Sequence, residues 1–472
     1  MKPLRLLIAL QLLLWPTLAL AYTFTDTQGR TLEAEIVNYQ GGDSVTIKRA
    51  DGQVFDLPLE RLSSVDQEYV RNWSPEETTG KEVSSDEIQR INELVGAELL
   101  ADDNLWDDAP GDVAKRLNWP QESQTDTQAS YRIYQGPQAK LFGARPYSSV
   151  LYAKDGRVEM ISIIFANKGD SIGSTFISPK EADDLISTAI NTDGDAISQR
   201  LSVLGEPEQL TTATGRKMKE RLKIWEWNGH VFSLAVQDGE YVALRIIPPE
   251  LAANRGRPER IASSTLREQA KANVVTRPNR DVVITNIPMV NQGPKGYCVP
   301  ATLERVLRYM GVSADMYLLA MAGQTNIGGG TSLNNLIEGT EGYLKSAGRE
   351  MERKKFKLKT NNIAKYIDEG QPILWTMYST SEFNTLANAN TVKRTQIEDI
   401  KAWKDSLKNT VREIKELRPD YETAHICMII GYNAETDEVA ISDSWGPQYQ
   451  ERWAPAELAE NISQGGFYIV DF

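Results

Sequence analysis

Two cysteines and two histidines occur in this 472-residue chain, and one of each falls within a pair of suggestive segments. Gln292-Gly-Pro-Lys-Gly-Tyr-Cys298 is the first. His425-Ile-Cys-Met-Ile-Ile-Gly431, followed by Asp443-Ser-Trp-Gly446, is the second. A thiol becomes a catalytic nucleophile when a base and an orienting group are brought to it in space rather than in sequence. His425 is the histidine of this region, Asp443 is an acid that could hold its ring, and Gln292 carries an amide that could donate to a developing oxyanion.

The neighbouring residues supply the elements that must position these groups. Val299, Leu303, Val306, Leu307 and Met310 recur at helical spacing, and Gly311 is a natural stop. Pro300 is tolerated only in a first turn, so Cys298 belongs at the N-terminus of this helix. Unpaired N–H groups and the positive end of the helix dipole favour a thiolate there. Ile426 to Ile430 reads as a buried strand, and Glu438 to Ile441 reads as the next one after a turn at Asn433 to Asp437. Such a hairpin returns Asp443 to His425, where it would fix the imidazole tautomer. Trp445 would cover the pair, and Gly446 permits the turn beneath it. Cys427, two residues beyond His425 on the strand, shares its face and reads as a small buried hydrophobe. A Cys298–Cys427 bridge is the alternative, and it would remove the thiol.

The first 21 residues have the form of an export signal: Lys2 and Arg5, an apolar run from Leu6 to Leu14, then Ala19-Leu-Ala21. Mature protein is expected to start at Tyr22, in a secreted or periplasmic location, with no later segment able to span a membrane. The net charge of −13 argues against nucleic acid as a partner. Residues 22–75 read as a β unit, with alternation at Leu32, Ala34 and Ile36 and at Val45 and Ile47. Turns are expected at Gly41-Gly42 and Asp51-Gly52, and a helix start at Ser64-Val-Asp-Gln67. After a polar linker from Glu76 to Ser85, residues 86–248 read as an α+β domain with an antiparallel sheet and a leading helix from Asp86. Within it, Asn191-Thr-Asp-Gly-Asp195 reads as a plain turn rather than a calcium loop, and His230 as a hairpin residue. Residues 249–283 form a linker containing a helix near Ser264 to Ala272. Gly328-Gly-Gly330 reads as a loop, Gln371 to Thr376 as a core strand, and Lys393 to Arg418 as one long surface helix.

Two resemblances follow from these residues. Phe24-Thr-Asp-Thr-Gln-Gly-Arg-Thr31, Val45-Thr-Ile-Lys and Leu57-Pro-Leu-Glu-Arg-Leu62 resemble the Sla homology domain, of the SH3-like barrel type. This implies a small docking module that binds a peptide or a surface. Residues 284–472 resemble a papain-fold cysteine peptidase of the bacteriocin-processing type that cuts after double-glycine leaders. Pro288-Met-Val-Asn-Gln292, Cys298, Ala301-Thr302, the His425 strand and Asp443 carry that likeness. It implies Cys298 as nucleophile, His425 as general base and acid, Asp443 as orienter and Gln292 as oxyanion donor, with no cofactor or metal. Val299 stands where the family usually has glycine. Double-glycine specificity is not implied, since that activity normally accompanies a membrane transporter.

The fold class expected is therefore α+β and multidomain: an SH3-like barrel, a middle α+β domain and a papain-like domain. The function expected is hydrolysis of a peptide or protein substrate through an acyl-enzyme at Cys298. An inactive binding scaffold and a transglutaminase-like acyltransferase are the competing classes. Chain order also allows the upstream residues, the basic connector among them, to occupy the cleft as a propeptide does.

Overall fold

The computed structural model describes residues 22–28, 30–39, 41–49, 53–73, 83–170, 178–212, 217–294, 296–327, 330–414 and 419–472. The leader, Asp51-Gly52, linker residues 76–82 and Gly328-Gly329 lie outside them. The chain divides into two compact units, Met1–Glu82 and Val83–Phe472.

In the first unit, strands Tyr22–Thr25, Thr31–Asn38, Ser44–Arg49 and Val54–Pro58 pair in sequence order as an antiparallel meander. Their alternate residues Phe24, Ala34, Ile36, Val45 and Ile47 form a core with Leu59, Leu62 and Val70. The helix Ser64–Asn72 starts one residue earlier in the capping pattern than the sequence indicates. Ser63, not Ser64, is the N-cap and accepts from Asp66 N. The reason is tertiary: the buried Asp66 carboxylate also accepts from Thr25 N at 2.7 Å and Tyr22 Oη at 2.7 Å, tying the helix to the first strand.

Among the described residues the second unit contains two eight-stranded sheets. The first is antiparallel throughout, in the order Gln121–Gln124, Gln128–Tyr134, Ser148–Lys154, Arg157–Asn167, Tyr241–Ile247, His230–Gln237, Arg221–Trp227, Glu208–Thr211. Its period-2 alternation divides between two cores. Ile161, Ile163, Phe165, Phe232, Leu234, Val242 and Leu244 pack with helices Ser85–Val95 and Pro179–Leu201. Ile164, Val231, Ala235, Tyr241 and Ala243 face the other way and share a core with Val290, Tyr297, Ala301, Met316, Tyr317 and Ala320. The active-site helix thus packs on the middle sheet.

Asn191–Asp195 is not a turn. It lies inside the 23-residue helix Pro179–Leu201, which opens with a Ser178/Glu181 capping box. Ala182, Ile186, Ile190, Ile197 and Leu201 bury one face, and this packing outweighs the turn propensity of Asn-Thr-Asp-Gly. Gly194 is there because a Cβ would come within 2.9 Å of Val236.

The second sheet runs Val274–Thr276, Val282–Ile284, Ala424–Asn433, Ile373–Tyr378, Ser463–Asp471, Glu350–Lys354, with Glu438–Ser442 and Arg452–Pro455 added beside Ala424–Asn433. Two elements of the 249–283 connector, Val274–Thr276 and Val282–Ile284, are strands of this sheet, and its helix Ser263–Ala272 buries Leu266 and Ala270. Lys393–Arg418 is not one helix. Ser381–Arg394 ends, and Ile400–Glu413 begins after Asp399, whose carboxylate accepts from Lys401 N and Ala402 N. Arg394 is buried against Glu438 and Asp281, which pulls the end of the first helix inward. Among the described residues no helix is long and apolar enough to cross a membrane.

The shared core joins the two sheets within the compact unit Val83–Phe472. We expect residues 83–472 to unfold in one calorimetric transition. Residues 284–472 alone should expose the Val290–Tyr297–Met316 surface, bind a hydrophobic dye and melt earlier. A fragment as stable as the longer chain would show that the second sheet needs no such support.

Candidate active site

The helix Cys298–Tyr309 begins at the thiol, with Tyr297 as N-cap and Pro300 in the first turn. Leu303, Val306 and Leu307 anchor it in the core. His425 stands near the start of Ala424–Asn433, and that strand pairs with Glu438–Ser442 in the register Met428–Ser442. Asp443 follows directly, and the expected hairpin closes: Asp443 Oδ1 lies 3.0 Å from His425 Nε2. The other ring nitrogen is left for Cys298, whose thiol and the imidazole each stabilise the other's charged form. Trp445 stacks on His425, with centroids 4.8 Å apart. The ion pair and its cover are therefore built from one hairpin and one helix end.

Gln292 is held by its backbone. Its N–H donates to Ser444 O at 2.8 Å, which joins the loop before the thiol to the turn after Asp443. Its side-chain Oε1 is buried and makes no hydrogen bond. Cys427 is a free, fully buried thiol that donates weakly to Met377 Sδ at 3.7 Å, and Cys298 is also free, so no bridge joins them.

Charge is balanced by a residue whose role the sequence did not signal. Asp443 Oδ2 accepts from Arg452 Nε at 3.1 Å and also from Arg452 Nη2. Arg452 is itself buried, and its Nη1 donates to Asn384 and Asn388, each at 3.1 Å. Arg452 comes from the strand Arg452–Pro455, and only strand pairing brings it here. Arg305, one helical face from Cys298 through Thr302, is equally buried. Its Nε donates to Pro288 O at 2.9 Å and its Nη2 to Ser442 Oγ at 2.6 Å. Arg305 lies off the apolar stripe of this helix, on the face of Cys298 and Thr302, so the spacing gave no signal for its burial. Thr302 Oγ1 lies 3.3 Å from Ile426 O and 3.2 Å from Ser444 Oγ.

These surroundings set the protonation states. Burial pushes the Cys298 thiol up, but the hydrogen bond and charge of His425, with the N–H groups of Ile426 and Val299, bring it below its ordinary value. Burial opposes charge on His425 too, yet Asp443 and Cys298 hold it up at about 9. For Asp443, burial is outweighed by the His425 hydrogen bond and the Arg452 charge, so its carboxyl stays below the usual range. Burial drives Cys427 far above an ordinary thiol. The arrangement favours a thiolate–imidazolium pair at Cys298 and His425, with Cys427 kept as an inert thiol. Among the described residues no cluster of three His, Cys, Asp or Glu side chains is placed to hold a metal ion.

Residues 284–465 match the model of the Peptidase C39-like family. No curated protein matches the chain. Among solved structures, the chain is similar to xylellain, a cysteine protease from Xylella fastidiosa. Identity is 11%, coverage is 43% of this chain and 88% of that one, and the TM-score is 0.27. The family match supports a cysteine peptidase in this segment.

The pH behaviour follows from the signs of these shifts. A histidine raised to about 9 contributes stability that is present below about 6.5 and is lost as pH rises through about 9. Cys298 should be alkylated by iodoacetamide well below pH 8, as mapped by mass spectrometry. In His425→Ala the largest counterweight to burial is lost, the Ile426 and Val299 N–H groups remain, and the inflection should move upward. An unchanged inflection in that variant would remove His425 as the cause.

Proposed function

We propose that this chain is an exported papain-type cysteine peptidase that hydrolyses a peptide bond through an acyl-enzyme at Cys298. The observation that carries the reading is the His425–Asp443 hydrogen bond set beside Cys298 at the start of the Cys298–Tyr309 helix. In this mechanism Cys298 Sγ attacks the scissile carbonyl as a thiolate, and the oxygen becomes an oxyanion. The Cys298 backbone N–H and the Gln292 side-chain amide donate to it. The C–N bond breaks as imidazolium His425 gives its proton to the leaving amine. Neutral His425 then takes a proton from water, whose oxygen attacks the thioester. The acid leaves, and the thiolate–imidazolium pair is restored. Asp443 keeps the ring oriented throughout, and Arg452 keeps Asp443 ionised.

The N-terminal unit fits the same reading as an SH3-like docking module for a peptide or a surface. Export rests on the sequence of residues 1–21. N-terminal sequencing of protein recovered from the periplasm or medium is expected to begin at Tyr22. A start at Met1 would remove the cleaved-signal reading.

Hydrolysis of fluorescein-labelled casein tests the peptidase. Cys298→Ala should abolish turnover. Gln292→Ala should lower kcat by about 10²- to 10³-fold, the usual cost of one lost oxyanion donor, while Cys298 alkylation stays intact. Full turnover in Cys298→Ala would overturn the proposal, and label transfer to an added amine in place of hydrolysis would favour acyl transfer.

A further inference from the structure

The loop that carries Gln292 is gripped from the middle sheet rather than from its own domain alone. Glu122 lies on the edge strand Gln121–Gln124, where the pairing register shifts between Gln121 and Ser123. This bulge turns both Glu122 and Ser123 into the protein, each less than 10% exposed. Glu122 Oε1 accepts from Asn291 N at 2.7 Å, and Ser123 Oγ accepts from Met289 N at 2.8 Å. On the other side of the same residue, Tyr134 Oη donates to Asn291 O at 2.6 Å. The ring of Tyr134 also lies so close to Gly293, at φ +75°, that a Cβ there would come within 2.9 Å of it. Three middle-sheet side chains thus hold the residues on either side of Gln292.

The grip continues to the helix that carries the thiol. Glu122 Oε1 also accepts from Arg132 Nε at 2.7 Å. Arg132 Nη2 donates to Tyr152 Oη at 3.0 Å, and Tyr152 Oη donates to Glu304 Oε1 at 2.8 Å. Glu304 is in the Cys298–Tyr309 helix and is fully buried. One buried chain of hydrogen bonds therefore runs from the Gln292 loop through Glu122, Arg132 and Tyr152 to the Cys298 helix. Tyr297, next to the thiol, adds a further tie: its Oη donates to Asn167 Oδ1 at 2.8 Å and accepts from Gly169 N at 3.1 Å.

We propose that Glu122 is a positioning residue for the reaction: through Asn291 it sets the place of the Gln292 amide relative to Cys298. On this basis the middle domain is a permanent part of the peptidase and not a propeptide. The inference rests on the proposed peptidase reading, because it concerns where the oxyanion donor sits. Its chemistry is specific. The thiolate is formed by His425 and the helix end, neither of which Glu122 touches, whereas the oxyanion site needs Gln292 within hydrogen-bond reach. A displacement of about 1 Å there is enough to cost about 10²-fold in rate.

The test uses the full mature chain and two variants. Glu122→Gln removes the charge from the bond to Asn291 N. Tyr134→Phe removes the bond to Asn291 O and leaves every buried charge in place, so it serves if Glu122→Gln does not fold. Three quantities are measured: casein hydrolysis, the pH profile of Cys298 alkylation, and amide hydrogen exchange of residues 286–297. The expected result is a kcat lowered at least about ten-fold with KM within about two-fold, an unchanged alkylation profile, and faster exchange confined to the loop. Unchanged kcat and exchange in both variants would overturn the clamp. A parallel loss of hydrolysis and alkylation would also overturn it, since that marks a merely structural role. Wild-type protein that does not hydrolyse casein would defeat the peptidase reading, and loop exchange would then decide the clamp by itself.

Discussion

The structure around the site depends on one buried carboxylate. Asp443 is fully enclosed, and its two oxygens are divided between partners: Oδ1 to His425 and Oδ2 to Arg452. A lone carboxylate in such a place would take up a proton instead of staying charged. With both cations in contact its ionised form is favoured, and an ionised Asp443 favours an imidazolium at His425 and, through it, a thiolate at Cys298. Each of the two negative groups, Asp443 and Cys298, thus faces a positive partner, and Arg305 adds a further buried cation whose charge also acts on Asp443. Arg452 is fixed in its turn by Asn384 and Asn388, from the helix Ser381–Arg394. That helix packs inward for this reason as well as for the Arg394 contacts with Glu438 and Asp281.

Strand pairing delivers these groups to one point. His425, Asp443 and Arg452 come from three successive strands or their ends, and the hairpin registers fix their separations. The pairing has a close tolerance. Gly431 lies at the register shift opposite Glu438–Ser442, and a Cβ there would come within 2.6 Å of Val282 O. The connector strand Val282–Ile284 is thus packed against the strand that carries His425. Beneath both, Arg305 links the Cys298 helix to Pro288 and to Ser442, so a single guanidinium spans the thiol side and the acid side.

Local signals were reliable where one element owns the whole pattern. The Cys298 helix, the His425–Asp443 hairpin and the strand Ile373–Tyr378 all carry their periodicity and turns within about twenty residues. They were misleading where a distant partner decides. Asn-Thr-Asp-Gly is turn-like in isolation, but Ile186, Ile190, Ile197 and Leu201 bury a continuous helix face across it. The apolar spacing through Lys393–Arg418 reads as one helix, yet the Asp399 cap and the inward pull on Arg394 divide it.

By itself, the sequence determined the types of the groups at the candidate site and the elements under them: a cysteine at a helix start, a histidine on a buried strand, an acid after the next strand and a glutamine six residues before the thiol. These are local facts, set by helix and strand periodicity and by the few turns that join neighbouring strands. The tertiary structure alone decided the rest: Arg452 on Asp443, Arg305 beneath both sides of the site, and Glu122 and Tyr134 on the loop beside Gln292. The contacts of Glu122 and Tyr134 with Asn291 join residues 169 and 157 positions apart in the chain. No spacing rule reaches across such a distance, because the contacts exist only once two sheets have buried a common core.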